Sequence, residues 1–170
     1  MTIERKYERD VDLLLAEEFA VNPRFAEDFK SRTKFAGKSG GVVDVRVSKS
    51  NNLGESDLIV VYVSDYGERF ALLIEDKVDA PLQHEQAARY RLRAERDRRS
   101  GIYSDYEVLL CAPRFYIENC PDPGNFDHKI SLECPSDFKA PSTWPKKKAR
   151  PARKPFTALS AVKVNTRSKN

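Results

Sequence analysis

Apolar residues recur at helical spacing near the start of the chain. Val11, Leu14, Leu15 and Phe19 share one face, with Glu18 inside the same stripe, which predicts an amphipathic helix over residues 3–20. Asn22-Pro23 breaks it, and Asn22 can cap a second helix whose short apolar face is Phe25, Ala26 and Phe29, ending near Thr33. After a loop marked by Gly37, Gly40 and Gly41 the period falls to two. Val43, Val45 and Val47 alternate with Asp44 and Arg46, the pattern of a half-buried strand. Asn51-Asn52-Leu53-Gly54 then turns the chain into two apolar runs, residues 58–63 and 70–74, around Asp65-Tyr66-Gly67, which predicts a β-hairpin. Ala80-Pro81 ends the second run. A helix is predicted over 82–99 with Gln83, Gln86, Ala87 and Tyr90 along one side, followed by a buried strand over 106–112 and a shorter one over 128–132.

The hairpin ends in chemistry rather than in a turn. Behind Ala71-Leu72-Leu73-Ile74 stand Glu75, Asp76 and Lys77, and strand alternation puts Glu75 and Lys77 on one face and Asp76 on the other. Charges beside so apolar a run need partners. If residues 65–67 form a three-residue loop with Gly67 left-handed, Ser64 faces Glu68 and Asp57 faces Glu75; a two-residue loop at Tyr66-Gly67 pairs Asp57 with Asp76 instead. In the first register two carboxylates and a lysine share a face. Opposed carboxylates repel unless a positive charge sits between them, and one or two carboxylates with hard oxygen ligands suit Mg²⁺, with Mn²⁺ as a substitute.

At these residues the chain resembles the PD-(D/E)XK nuclease superfamily: an acid at the start of one strand, Asp57, then acid, any residue and lysine on the next, Glu75, Asp76 and Lys77. Ser56 stands where that pattern has its proline, and Gln86-Ala87-Ala88-Arg89-Tyr90 is similar to the Gln-xxx-Tyr helix motif of the RecB-like branch. The resemblance implies a restriction-endonuclease-like α/β fold, an αβββαβ core with a mixed central sheet, over residues 1–134. It also implies a metal-dependent nuclease acting on phosphodiester bonds, DNA ahead of RNA. In that reading Asp57, Glu75 and the Asp76 backbone carbonyl hold the metal, and Glu18, with Glu17 as its alternative, completes the shell from the first helix. Lys77 orients the attacking water, while Gln86 and Tyr90 steady that water or the phosphate. The alternative is a catalytically inactive nucleic-acid-binding or regulatory module on the same fold. A structural reading also stands, in which these charges are a hairpin end meeting solvent.

Charge is unevenly distributed. The net +4 of the 170 residues hides a tail, residues 135–170, with ten Lys and Arg against one Asp, while residues 1–134 hold 20 basic against 25 acidic side chains. Five prolines and few apolar residues lead to an expectation of disorder there, and Lys146, Lys147 and Lys148 form a cluster suited to tethering nucleic acid. The family resemblance implies further helices at this point, so the tail is atypical and leaves activity open. On the predicted helix 82–99, Arg89 and Arg93 are candidates for phosphate contact, and a merely solvated face accounts for them equally well. Cys111, Cys120 and Cys134 make an odd count without CxxC spacing, His84 and His128 lack metal-ligand neighbours, and no apolar stretch approaches a membrane span. These features favour reduced thiols in a cytoplasmic protein without membrane contact, and they leave the oligomeric state, a homodimer included, open.

Overall fold

The computed structural model describes residues 3–47, 58–78, 81–83, 85–120 and 125–133, with side chains from residue 10 onward. Its elements are α1 (Ile3–Val21), α2 (Pro23–Ser31), β1 (Gly41–Val47), β2 (Leu58–Val63), β3 (Arg69–Asp76), α3 (Gln86–Arg99), β4 (Asp105–Ala112), α4 (Arg114–Glu118) and β5 (His128–Ser131). The strands form one sheet in the order β1-β2-β3-β4-β5. β2 pairs antiparallel with both β1 and β3, and β3, β4 and β5 run parallel, so the protein is mixed α/β with a mixed sheet. Residue 57, residue 84, Cys134 and the whole tail, including Lys146, Lys147 and Lys148, lie outside the described residues.

Side-chain parity explains the layering. Ile59 and Val61 of β2, Ala71 and Leu73 of β3 and Val108 of β4 pack with Tyr90 and Ala94 of α3 and with Tyr103 in one cluster. The opposite parity faces the N-terminal helices: the Tyr62 ring stacks on Phe70 at 5.2 Å and its hydroxyl donates to the Ala26 carbonyl of α2 at 2.9 Å. α1 closes on α2 through Phe19, whose ring lies 4.9 and 5.0 Å from Phe25 and Phe29. Edge-on aromatic contacts of this kind add about 0.5–1.5 kcal/mol each beyond buried area. Asn22 joins the two helices. Its Oδ1 accepts the Phe25 N–H at 3.2 Å as the cap of α2, while its Nδ2 donates to Glu18 Oε2 at 2.9 Å.

The hairpin turn is the three-residue form. Gly67 has φ +80°, its N–H donates to Ser64 O at 2.9 Å, and the Ser64 N–H donates to Glu68 O at 2.8 Å. The ladder then runs from Val63↔Arg69 to Leu58↔Ile74 without a slip. This is the register in which the expected facing of residues 57 and 75 is possible.

Two expectations are corrected. Val43 does not share the buried side of β1: Val42 pairs with Tyr62 and Asp44 with Val61, so Val43 is the extra residue of a bulge and is 48% exposed. The third helix starts at Gln86 rather than Leu82, because Glu85 takes a left-handed backbone (φ 55°) that no α-helix continues through. The short α4 was not anticipated, although Pro113 at its N-terminus is the sort of signal that opens a helix.

Candidate active site at the end of β3

β3 is a central strand, apolar on both faces up to Ile74, and then delivers charge into the interior. Glu75 is 0% exposed and Lys77 7%. Removing two ions from water costs several kcal/mol each, so a sequence keeps them at such a place only with good partners. Glu75 has three. Its Oε1 accepts from Lys77 Nζ at 2.7 Å and from Gln86 Nε2 at 2.6 Å, and its Oε2 accepts from the Tyr90 hydroxyl.

Each donor is positioned by backbone architecture. Lys77 follows β3 by one step, its N–H still bonded to Cys111 O at 2.9 Å as in the β3/β4 ladder, so its side chain returns to the face of Glu75. Gln86 and Tyr90 are four residues apart on α3 and therefore lie one above the other on the same side. The Gln86 amide is itself oriented, because its Oε1 accepts the Gln83 N–H at 3.1 Å and only its NH₂ is left to meet Glu75. Gln83 was read as part of the helix. It instead belongs to a turn closed by the Gln86 N–H to Gln83 O bond at 3.2 Å.

The remaining sequence candidates are distributed as follows. Asp76 is 1% exposed and by alternation lies on the sheet face opposite Glu75. Glu18 lies in the last turn of α1, with its Oε2 engaged by Asn22, and Glu17 beside it is exposed. Arg89 donates to Gln83 Oε1 at 3.0 Å, and Arg93 is half-buried on α3. Further along α3, Arg98 and Arg99 both bond Glu95, and the Arg98 hydrogen bond leads in holding that carboxyl down at about 2. Those two arginines are thus used within the helix. His128 is half-buried at the start of β5, with Nε2 3.5 Å from Glu107 Oε2. Cys111 is buried in β4 and Cys120 is half-buried.

One constellation went unrecognised in the sequence. Arg91, on α3 between the two site residues and the cluster at its end, grips Asp127 with Nη2–Oδ1 at 2.7 Å and Nη1–Oδ2 at 3.0 Å. Asp127 also accepts the Val108 N–H at 2.7 Å, so it ties α3 to β4 just ahead of β5. Burial pushes the Asp127 carboxyl up, but the Arg91 and Val108 hydrogen bonds together outweigh it and hold the group below its ordinary range. The signal for this pair is faint, an arginine and an aspartate separated by one strand and one short helix.

The donor chemistry bears on whether a divalent cation fits. Among the described residues no three His, Cys, Asp or Glu side chains gather as a metal cluster, and the site presents the single carboxylate Glu75. Asp57, the second acid expected from the sequence, lies outside the described residues. No family model, no curated protein and no solved structure matches this chain.

Proposed function

We propose that the chain is a metal-dependent nuclease of the PD-(D/E)XK type, hydrolysing phosphodiester bonds of nucleic acid, DNA ahead of RNA. The observation that carries the reading is the convergence of Lys77, Gln86 and Tyr90 on the buried carboxylate of Glu75 at the end of β3. Buried ionisable residues gathered at a strand end cost stability, and functional sites are where such costs are retained. The order of elements from α1 to β4 supports the αβββαβ core. The β2/β3 register from Val63↔Arg69 to Leu58↔Ile74, with Ile59 and Val61 on the face of Leu73, is the register in which Asp57 was expected to face Glu75, and it supports the reading on that account.

In this reading Asp57, Glu75, the Asp76 carbonyl and Glu18 would hold Mg²⁺ or Mn²⁺, which when bound supplies an acidified water and charge neutralisation at the phosphate. Lys77 holds its ammonium where negative charge develops on the phosphoryl oxygens and orients the attacking water by donation. Gln86, pinned by Gln83, and Tyr90, fixed by its ring packing, keep the Glu75 carboxylate in one orientation. Arg89 and Arg93 of α3, and Lys146, Lys147 and Lys148 of the tail, supply phosphate contacts along the nucleic-acid backbone.

A second reading rests on the same residues. Both oxygens of Glu75 already have donors, which is the arrangement of a structural ion pair inside a nucleic-acid-binding or regulatory module. Incubating the purified full chain with linear, circular and single-stranded DNA and with RNA, with and without Mg²⁺ or Mn²⁺, separates the two. Divalent-dependent cleavage lost in Glu75→Gln establishes the nuclease; nucleic-acid binding without cleavage establishes the module.

A further inference from the structure

We infer that Tyr90 is a latch on the metal-binding carboxylate, an inference that rests on the nuclease reading and concerns how that site is loaded. The two oxygens of Glu75 are not equivalent. Oε1 takes two donors, the Lys77 ammonium at 2.7 Å and the Gln86 amide at 2.6 Å, whereas Oε2 is held by the Tyr90 hydroxyl. A cation approaching Oε1 meets the like charge of Lys77 and a Gln86 amide that Gln83 prevents from turning away. Oε2 carries the neutral Tyr90 hydroxyl. A divalent cation held by Glu75 would therefore meet less opposition at Oε2, and the Tyr90 O–H would have to release that oxygen.

The ring cannot swing aside to do so. Tyr90 is 2% exposed and packed among Ile59, Val61, Ala71, Leu73, Ala94, Tyr103 and Val108, so the hydroxyl stays at the site after losing its acceptor. Release exchanges a hydrogen bond to an ionised group for whatever the hydroxyl next finds, and such bonds are among the stronger ones. Tyr90 thus weakens divalent binding in the resting protein and is left poised beside the metal once binding has occurred. A residue that merely supports the metal site has the opposite effect on affinity.

Calorimetric Mn²⁺ titration of the full chain, wild type, Tyr90→Phe and Glu75→Gln, decides this, with circular dichroism confirming that each variant is folded. The latch requires Tyr90→Phe to bind Mn²⁺ about tenfold more tightly than wild type, or to bind where wild type does not, and Glu75→Gln to lose binding. Equal or weaker binding by Tyr90→Phe, with wild-type binding abolished in Glu75→Gln, overturns the latch and leaves the metal site standing. No Mn²⁺ binding by either wild type or Tyr90→Phe overturns the metal site and the latch with it. Should Tyr90→Phe fail to fold, Tyr90→Leu carries the same comparison, since it also removes the hydroxyl.

Discussion

Lys77 Nζ lies 2.7 Å from Glu75 Oε1 at the end of β3, an ion pair whose members are two residues apart along an extended backbone that continues one step past the strand and so sets them side by side. The pair makes the two readings of this chain separable by substitution. Glu75→Gln keeps shape but removes the charge, and Lys77→Ala keeps the carboxylate but removes its cation. For a metal nuclease, cleavage is lost in both, divalent affinity falls in Glu75→Gln, and metal remains bound in Lys77→Ala. For a structural pair, the signature is thermodynamic: Lys77→Ala leaves a buried carboxylate unneutralised and costs up to about 3–5 kcal/mol in denaturant unfolding, with no divalent-dependent activity to lose.

Acid should loosen the junction of α3 and β4. Asp127 is held below its ordinary range when folded, so it favours the folded state fully above the unfolded value of about 3.9 and loses that contribution as pH falls toward the folded one. Asp127→Asn removes the titration. Melting temperatures measured from about pH 6 down to about pH 3 should converge for the two proteins at the acid end, with the wild type more stable at the upper end; parallel curves would show that this carboxylate is not linked to folding.

Asn22 performs two tasks that substitution can divide. Asn22→Ser keeps a side-chain acceptor for the Phe25 N–H and gives up the Glu18 contact, whereas Asn22→Ala gives up both. Asn22→Asp keeps the cap and sets two carboxylates against each other. Chemical denaturation should show Asn22→Ala destabilised by about 1 kcal/mol, with Asn22→Ser closer to wild type and Asn22→Asp regaining part of its loss when Glu18 is also changed to Gln.

Gly40 and Gly37 lie in one loop and differ entirely in tolerance. A Cβ at Gly40 would stand 1.9 Å from Val63 O, and its φ of +102° is itself adverse to any other residue, while a Cβ at Gly37 meets nothing within 4 Å. Gly40→Ala should cost at least about 2 kcal/mol and Gly37→Ala little or nothing, as read from urea midpoints. Equal effects would show that the β1 entry does not lie against the end of β2.

Much of the architecture was visible in residue patterns because each element carries a local signal. The Asp65-Tyr66-Gly67 turn defined the β2/β3 register, since Gly67 accepts the left-handed backbone that the three-residue loop needs, while alternation along the strand carries Glu75 and Lys77 to one face. Residues whose structure answers to distant contacts were not visible. Gln83, His84 and Glu85 are tolerable helix formers, yet α3 begins only at Gln86, whose side chain bonds Glu75 on one side and the Gln83 N–H on the other. Val43 alternates correctly by composition and leaves the pattern only because β1 inserts one residue against β2. Arg91 and Asp127 are 36 positions apart, and no periodicity links them.

The displaced residue in β1 has a consequence for the protein in concentrated solution. Among the described residues β1 is the first strand in the order of the sheet, and no described strand pairs with its side away from β2, the kind of border at which an extended chain of matching spacing can add. The extra residue at Val43 interrupts that spacing midway, and Asp44 and Arg46, ion-paired with each other, set charge along the remainder. A second molecule laid against this border would find no continuous run of evenly spaced partners, so head-on stacking of sheets into filaments is discouraged by a single residue out of step.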